Sequence, residues 1–221
     1  MIFIDCEQGT EEWHAARCGV ITASKFKDAV DLGEEVTLKN GTVKPAKPSA
    51  KNRLYAAQVA IERISHAPCG EIFNSWQMKR GQEIEGAARI AYECATGNMA
   101  TEAGIMLTED RLFGYSTDGM VGDDGLIEIK SLVGAEIVIE MWSTGDTSEF
   151  DHQMQGGMWI SGRHWCDFVM FCPQLESVGK ALYIKRIQRD DVFIDAMVES
   201  LTVFERMASK NEAILRMPNA V

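Results

Sequence analysis

The 221-residue chain predicts an α/β (α+β) fold, a mixed central sheet flanked by helices. Short runs with the two-residue alternation of half-buried strands, clearest from Leu126 to Ser131, sit between longer stretches whose apolar residues recur three and four apart. The composition, 46% hydrophobic and 25% charged, is that of a globular protein. The length suits one domain over residues 1–221 with a substantial core.

From the start, Thr10 to Arg17 reads as a short helix with Thr10 as N-cap and acids in its first turn. RCGVITASKF follows: Gly19 breaks that helix, and a second begins near Thr22 and Ser24 and runs through Val30. A helix N-terminus with two hydroxyls and Arg17 nearby suits a terminal phosphate. The alternative is that Thr22 is a plain N-cap and Arg17 a surface charge. Residues 31–50 change character. Asn40-Gly41 between alternating runs signals a hairpin. Lys39, Lys44, Lys47, Lys51 and Arg53 make this the most basic part of the chain, either a loop against duplex backbone or a solvated surface.

A helix is expected from about Ser49 to His66, ended by Ala67-Pro68-Cys69-Gly70, and a second from Trp76 to Thr96, stopped by Gly97. The second carries Glu83 and Glu85, which point to different faces, so only one reaches a site and periodicity does not choose. Strands follow at Ala103 to Thr108, Leu112 to Ser116 and Ile127 to Ser131, then a helix over Ala135 to Trp142. Phe150 to Ile160 reads as another helix, with His152, Gln153 and Gln155 beside an apolar stripe; His152 is either a base or an ordinary hydrogen-bonded histidine. Strands at Trp165 to Cys172 and Ala181 to Ile187 and a closing amphipathic helix, Asp190 to Leu215, complete the pattern.

Chemistry concentrates in Tyr115 to Lys130, YSTDGMVGDDGLIEIK. Glu128 and Lys130 share one face of a strand. Gly119, Gly122 and Gly125 supply turns that bring the Leu112–Ser116 run, and with it Asp118, alongside. Two carboxylates and a nearby backbone carbonyl form a hard oxygen site suited to Mg²⁺. Lys130 beside it is placed to orient or deprotonate an attacking water, so the predicted chemistry is phosphodiester hydrolysis. An acid and a lysine two apart also make an ordinary solvated face, but Leu126, Ile127 and Ile129 mark this run as half buried, where an acid needs a partner or a metal.

No apolar run is long enough to span a bilayer, and MIFIDCEQG lacks the features of a signal peptide, so a cytoplasmic protein without membrane contact is expected. The six cysteines form no C-x-x-C pair and read as free thiols. A net charge of −11 weighs against a nucleic-acid ligand, unless the site is a locally basic cleft in an acidic exterior.

In order along the chain, EQGTEEWHAARCGVITAS, RGQEIEGAARIAYE, YSTDG with LIEIK, and HQMQGGMW resemble the motifs of the bacteriophage lambda exonuclease family, the YqaJ-type viral recombinases of the restriction-endonuclease-like superfamily. The likeness covers nearly the whole length. It implies that Asp118, Glu128, the Ile129 carbonyl and Glu85, rather than Glu83, hold Mg²⁺, with Mn²⁺ as a substitute, and that Lys130 activates the attacking water. It also implies that Gln155 positions that water or the scissile phosphate. Arg17 and Ser24, beside Thr22, would hold a 5′-phosphate, with Trp13 where DNA enters. The implied activity is processive 5′-to-3′ digestion of one strand of linear double-stranded DNA by a ring-shaped homotrimer working with a phage single-strand annealing protein. An endonuclease or junction resolvase on the same core, an inactive DNA-binding recombination protein, and a hydrolase of small phosphate esters are the alternatives. The chain departs from the pattern at Thr117, where the superfamily has proline, and at Asn74, Ser75 and Trp76, where relatives carry a basic residue near the 5′ end that Lys79 or Arg80 would replace.

Overall fold

The computed structural model describes residues 1–33, 35–37, 43–44, 46–69, 76–131 and 134–218, and of Val36, Thr37, Val43, Lys44 and residues 76–83 the backbone alone. In chain order the elements are β1 (Ile2–Ile4), α1 (Glu11–Arg17), β2 (Ile21–Thr22), a 3-10 turn (Ala23–Lys25), α2 (Phe26–Val30), β3 (Val36–Thr37), β4 (Val43–Lys44), α3 (Ala50–Ser65) and α4 (Trp76–Thr96). Five strands follow: β5 (Ala100–Thr101), β6 (Ile105–Leu107), β7 (Phe113–Tyr115), β8 (Gly119–Val121) and β9 (Gly125–Lys130). Then come α5 (Ala135–Thr144), α6 (Asp151–Ser161), β10 (Trp165–Phe171), β11 (Leu182–Gln188) and α7 (Asp191–Arg216).

The helices obey their sequence signals. Thr10 caps α1 by accepting the Trp13 N–H, Ser49 caps α3 through the Asn52 N–H, and Asp190 caps α7 through the Phe193 N–H. Among the described residues none is long and apolar enough to cross a membrane.

The strands form two mixed sheets where one central sheet was expected. The first has the order β1-β6-β7-β2 and the second β11-β10-β9-β8-β5; β3 and β4 pair separately, and their turn at Asn40-Gly41 lies outside the described residues, as do Lys39, Asn74 and Ser75. Within the second sheet β9 and β10 run parallel, Glu128 opposite Phe168, so the chain must cross over between them, and the crossover carries α5 and α6.

This topology corrects the expected pairing around the acids. β7 belongs to the first sheet; the antiparallel neighbour of β9 is β8, with Gly119 opposite Ile127, too short a strand to show alternation in the sequence. Gly119 and Gly125 are therefore strand residues rather than turns. A Cβ on Gly125 would lie 2.1 Å from the Trp165 ring. Gly122, at φ +52°, makes the turn.

The second sheet is covered on both faces. Leu126, Phe168 and Met170 pack with Met154 and Met158 of α6 and with Leu201 and Phe204 of α7. Ile127, Ile129 and Val169, on the other face, pack on Ala88 and Tyr92 of α4. Tyr92 donates to Asp167 at 2.7 Å, and Arg186 forks onto the same carboxylate with two bonds of 2.8 Å, tying α4 to β10 and β11. The glycine pair Gly156-Gly157 lets α6 pack closely. A Cβ on Gly156 would come within 2.6 Å of the Phe26 ring, and one on Gly157 within 2.6 Å of the Tyr115 ring.

Candidate active site

Strand alternation sends Leu126, Glu128 and Lys130 toward α6, and so places an acid and a base beneath its first turn. Glu128 is 1% exposed. Its Oε1 accepts Lys130 Nζ at 2.7 Å and also the Gln153 side-chain amide, and its Oε2 accepts the Tyr115 hydroxyl at 3.2 Å. Lys130 Nζ donates in addition to Gln153 Oε1 at 3.2 Å. The buried acid therefore has a full set of partners.

Asp118 precedes β8, and its Oδ2 accepts the Ile129 N–H at 2.6 Å. Thr117, completely buried, stands in for the absent proline by other means. Its hydroxyl lies 2.9 Å from the Gly119 carbonyl, 3.1 Å from the Ile127 carbonyl and 3.2 Å from the Gly119 N–H, while Gln8 donates to the Thr117 carbonyl at 2.7 Å. These bonds fix the residue before Asp118 without a ring. Because β8 starts opposite Ile127, the Ile129 peptide lies beyond the β8–β9 ladder. N–H and C=O of one strand residue share an edge, so the Ile129 carbonyl faces the Asp118 side.

Glu85 lies on α4, half buried, with Arg89 at 3.2 Å. Burial raises its pKa, against the pull of Arg89, and Glu128 adds to the rise. Burial, Glu128 and Glu85 push the Asp118 carboxyl well above the usual range, in that order. Burial lowers the Lys130 pKa, but Glu128 and Asp118 outweigh it, and the ammonium is held above its ordinary value. Three acids thus feel one another; Asp118 and Glu128 share Lys130, and Glu85 pairs with Arg89. Among the described residues no three acid, histidine or cysteine side chains already form a metal cage. The donor set present is two carboxylates and a backbone carbonyl, with Glu85 within electrostatic reach. That set, completed by water, fits Mg²⁺.

Asp118, Glu128, Ile129 and Lys130 line a cleft of about 200 Å³ together with Trp13, Arg17, Thr22, Ser24 and Ser116. Arg17 Nη1 donates to Ser116 Oγ at 3.3 Å, the Trp13 indole donates to the same oxygen at 2.9 Å, and the guanidinium stacks 4.2 Å from the Trp13 ring centre. Burial lowers the Arg17 pKa. Among the described residues no carboxylate lies within ion-pair distance of it. Thr22 does not cap a helix with its side chain; its hydroxyl faces Ser24 Oγ at 3.4 Å.

Gln155 stands apart. It is buried, its Nε2 donates to the Gln188 carbonyl and its Oε1 accepts the Asp190 N–H, both at 2.9 Å, at the joint of β11 and α7. Gln153 occupies the place expected for it. Two residues on a helix diverge by more than a right angle, so HQMQ offered one inward glutamine of each kind without saying which. His152 lies edge-on to Phe193, 5.0 Å between ring centres, outside the cluster. Gln8, Tyr115 and Ser116 were not read as site residues. Tyr115 carried a signal, since it alternates with Thr117 onto a buried face.

The YqaJ-like viral recombinase domain model matches residues 12–164. An alkaline exonuclease (LHK-Exo) from Laribacter hongkongensis is 34% identical, covering 94% of this chain and 97% of its own, with a TM-score of 0.77; its complex with dAMP gives 0.78 at the same identity and coverage. A phage related exonuclease from Haemophilus somnus 129PT shares the fold at 16% identity and a TM-score of 0.66, covering 90% of this chain and 96% of its own. No curated protein sequence matches.

Proposed function

This chain belongs to the YqaJ-like viral recombinase domain family, and from that premise we propose that it is a Mg²⁺-dependent exonuclease digesting the 5′ strand of linear double-stranded DNA. A nuclease role follows from the alkaline exonuclease to which it is 34% identical. The direction of digestion rests on one observation: a half-buried Arg17, with no carboxylate in ion-pair distance among the described residues, lines the same cleft as the Asp118–Glu128–Lys130 cluster. A chain end whose terminal phosphate sat at Arg17, Ser24 and Ser116 would present its first phosphodiester toward the acids. LHK-Exo binds dAMP, a mononucleotide of the size such an enzyme releases.

Asp118, Glu128, the Ile129 carbonyl and Glu85 would hold Mg²⁺, or Mn²⁺ in its place, which when bound would neutralise charge at the phosphate and acidify water. The chain supplies the rest. Tyr115 and Gln153 hold Glu128 in one orientation, and Gln153 also holds Lys130 Nζ, the ammonium placed to orient the attacking water. Gln153 thereby fills the positioning role expected of Gln155. Trp13 flanks the terminal base. In the same reading the enzyme is a processive, cytoplasmic, ring-shaped homotrimer that leaves a 3′ single strand to a phage single-strand annealing protein.

The test compares linear duplex carrying 5′-phosphate or 5′-hydroxyl ends with a closed circle, in Mg²⁺. Mononucleotides released from the phosphorylated 5′ ends are expected, with the circle untouched. Nicking of the circle would favour an endonuclease or junction resolvase instead.

A further inference from the structure

The most elaborate construction around the cleft lies behind Arg17. Arg17 ends α1, and Cys18 and Gly19 turn the chain into β2. Two consecutive side chains from the last turn of α3 grip that turn. Glu62 Oε2 accepts the Gly19 N–H and its Oε1 the Cys69 N–H, both at 2.9 Å. Arg63 Nε donates to the Gly19 carbonyl at 3.0 Å, while its Nη1 reaches Glu205 and Ser209 of α7, each at 3.3 Å. The fit admits only glycine: φ is +74°, and a Cβ would lie 2.8 Å from Arg63 Cγ. Two turns earlier on α3 the Tyr55 hydroxyl accepts the Thr22 N–H at 3.0 Å, with its ring stacked on Phe204 of α7 at 5.1 Å. Both ends of the segment from Gly19 to Thr22 are thus tied to α3, and α3 to α7.

The arrangement has a use beyond support. Glu62 lies close enough to Arg17 to favour its charged form, yet its oxygens are occupied by backbone amides. A carboxylate paired directly with Arg17 would compete with a phosphate; one occupied by two backbone amides grips the turn behind Arg17 without taking up its guanidinium. Resting on the reading of Arg17 as the receptor of a 5′-phosphate, we propose that Glu62, Arg63 and Tyr55 are positioning residues that preset Arg17 and Thr22 and so determine the preference for phosphorylated ends.

Steady-state rates on 5′-phosphorylated and 5′-hydroxyl linear duplex test this for the wild type, Glu62→Ala, Glu62→Gln and Tyr55→Phe, with the Mn²⁺-induced rise in Tm as the check on fold and acid cluster. Glu62→Ala is expected to raise KM for phosphorylated ends about tenfold, leaving kcat and hydroxyl-end rates unchanged, as misplacement of a binding group should. Glu62→Gln keeps one acceptor and should recover most of the preference. Tyr55→Phe keeps the ring stack and should lower the preference by about threefold, the loss of one neutral hydrogen bond. Full preference in Glu62→Ala or Tyr55→Phe overturns the proposal, as does an equal loss on both kinds of end. Glu62→Gln behaving like Glu62→Ala would also overturn it, because charge rather than grip would then be at work. A wild type indifferent to the end group overturns the phosphate reading itself, and the clamp with it.

Discussion

Gln153 and Gln155 stand two residues apart on α6, one bonded to Glu128 and Lys130, the other to the backbone where β11 meets α7. Their substitutions should separate accordingly. Gln155→Ala leaves a part-buried carbonyl and a part-buried N–H without their partner and is expected to cost about 1–2 kcal/mol, read as a lower denaturant midpoint, with the rate per folded molecule unchanged. Gln153→Ala should lower kcat by about 10–100-fold with little change in that midpoint. Asp118 shows the opposite tension, between function and stability. Its folded-state pKa lies above its unfolded value through burial, Glu128 and Glu85. Below the unfolded pKa both states are protonated and nothing is lost. Stability then falls as pH rises toward the folded pKa, and the deficit persists at alkaline pH. Asp118→Asn is therefore expected to abolish turnover yet raise the Tm of the metal-free protein at pH 8 by roughly 2–4 °C, about 1 kcal/mol. A lower Tm would show that the carboxylate is not strained. Mn²⁺ must also displace the proton, so its affinity should climb with pH in calorimetric titration. The acids and Lys130 were legible in the sequence because a strand period fixes which side chains share a face. Gln8 and Ser116 were not, since they reach the cleft by contacts between segments about a hundred residues apart.

Elements were legible in proportion to their length. The helix expected over Trp76 to Thr96 is α4 to the residue, because its long apolar period and Gly97 leave little freedom. β1, β2, β5 and β8, at two or three residues each, are too short for alternation to register, and a linear pattern cannot say that β7 leaves for another sheet. The glycine pair of α6 is a case where helix propensity alone misleads. Alanine is the better helix former by about 1 kcal/mol. At Gly157, however, a Cβ would press on Tyr115, and overpacking costs typically 1–3 kcal/mol. Gly157→Ala is thus expected to destabilise the protein, and because the displaced ring carries the hydroxyl that holds Glu128, kcat should fall as well. Gly156→Ala, pressing on Phe26, should lose comparable stability and keep kcat per folded molecule. Equal kcat losses in both would mean that α6 moves as a body and that Tyr115 has no separate part.

Across the whole molecule the charge and the proposed substrate pull against each other, at −11 net on a chain whose ligand is a polyanion. A protein that holds DNA by surface cations loses affinity steeply with salt, each neutralised phosphate adding about 0.9 to the slope of log K against log salt. Here the cations that line the cleft are Arg17 and Lys130, the latter already paired with Glu128, and Lys25 and Lys27 nearby are paired with Asp28 and Glu149. The slope for binding of duplex ends, measured with catalysis blocked by Ca²⁺, should therefore be shallow, of order −1 to −3, rather than the steep values of basic DNA-binding surfaces. So few contacts cannot keep a monomer on its substrate through many turnovers, and the proposed ring resolves this by enclosure, which salt does not screen. Light scattering should then give three times the 24.5 kDa chain, and the length digested per binding event should change little between about 50 and 200 mM salt even as the rate of association falls. A monomeric mass with equally long digestion would remove enclosure as the cause.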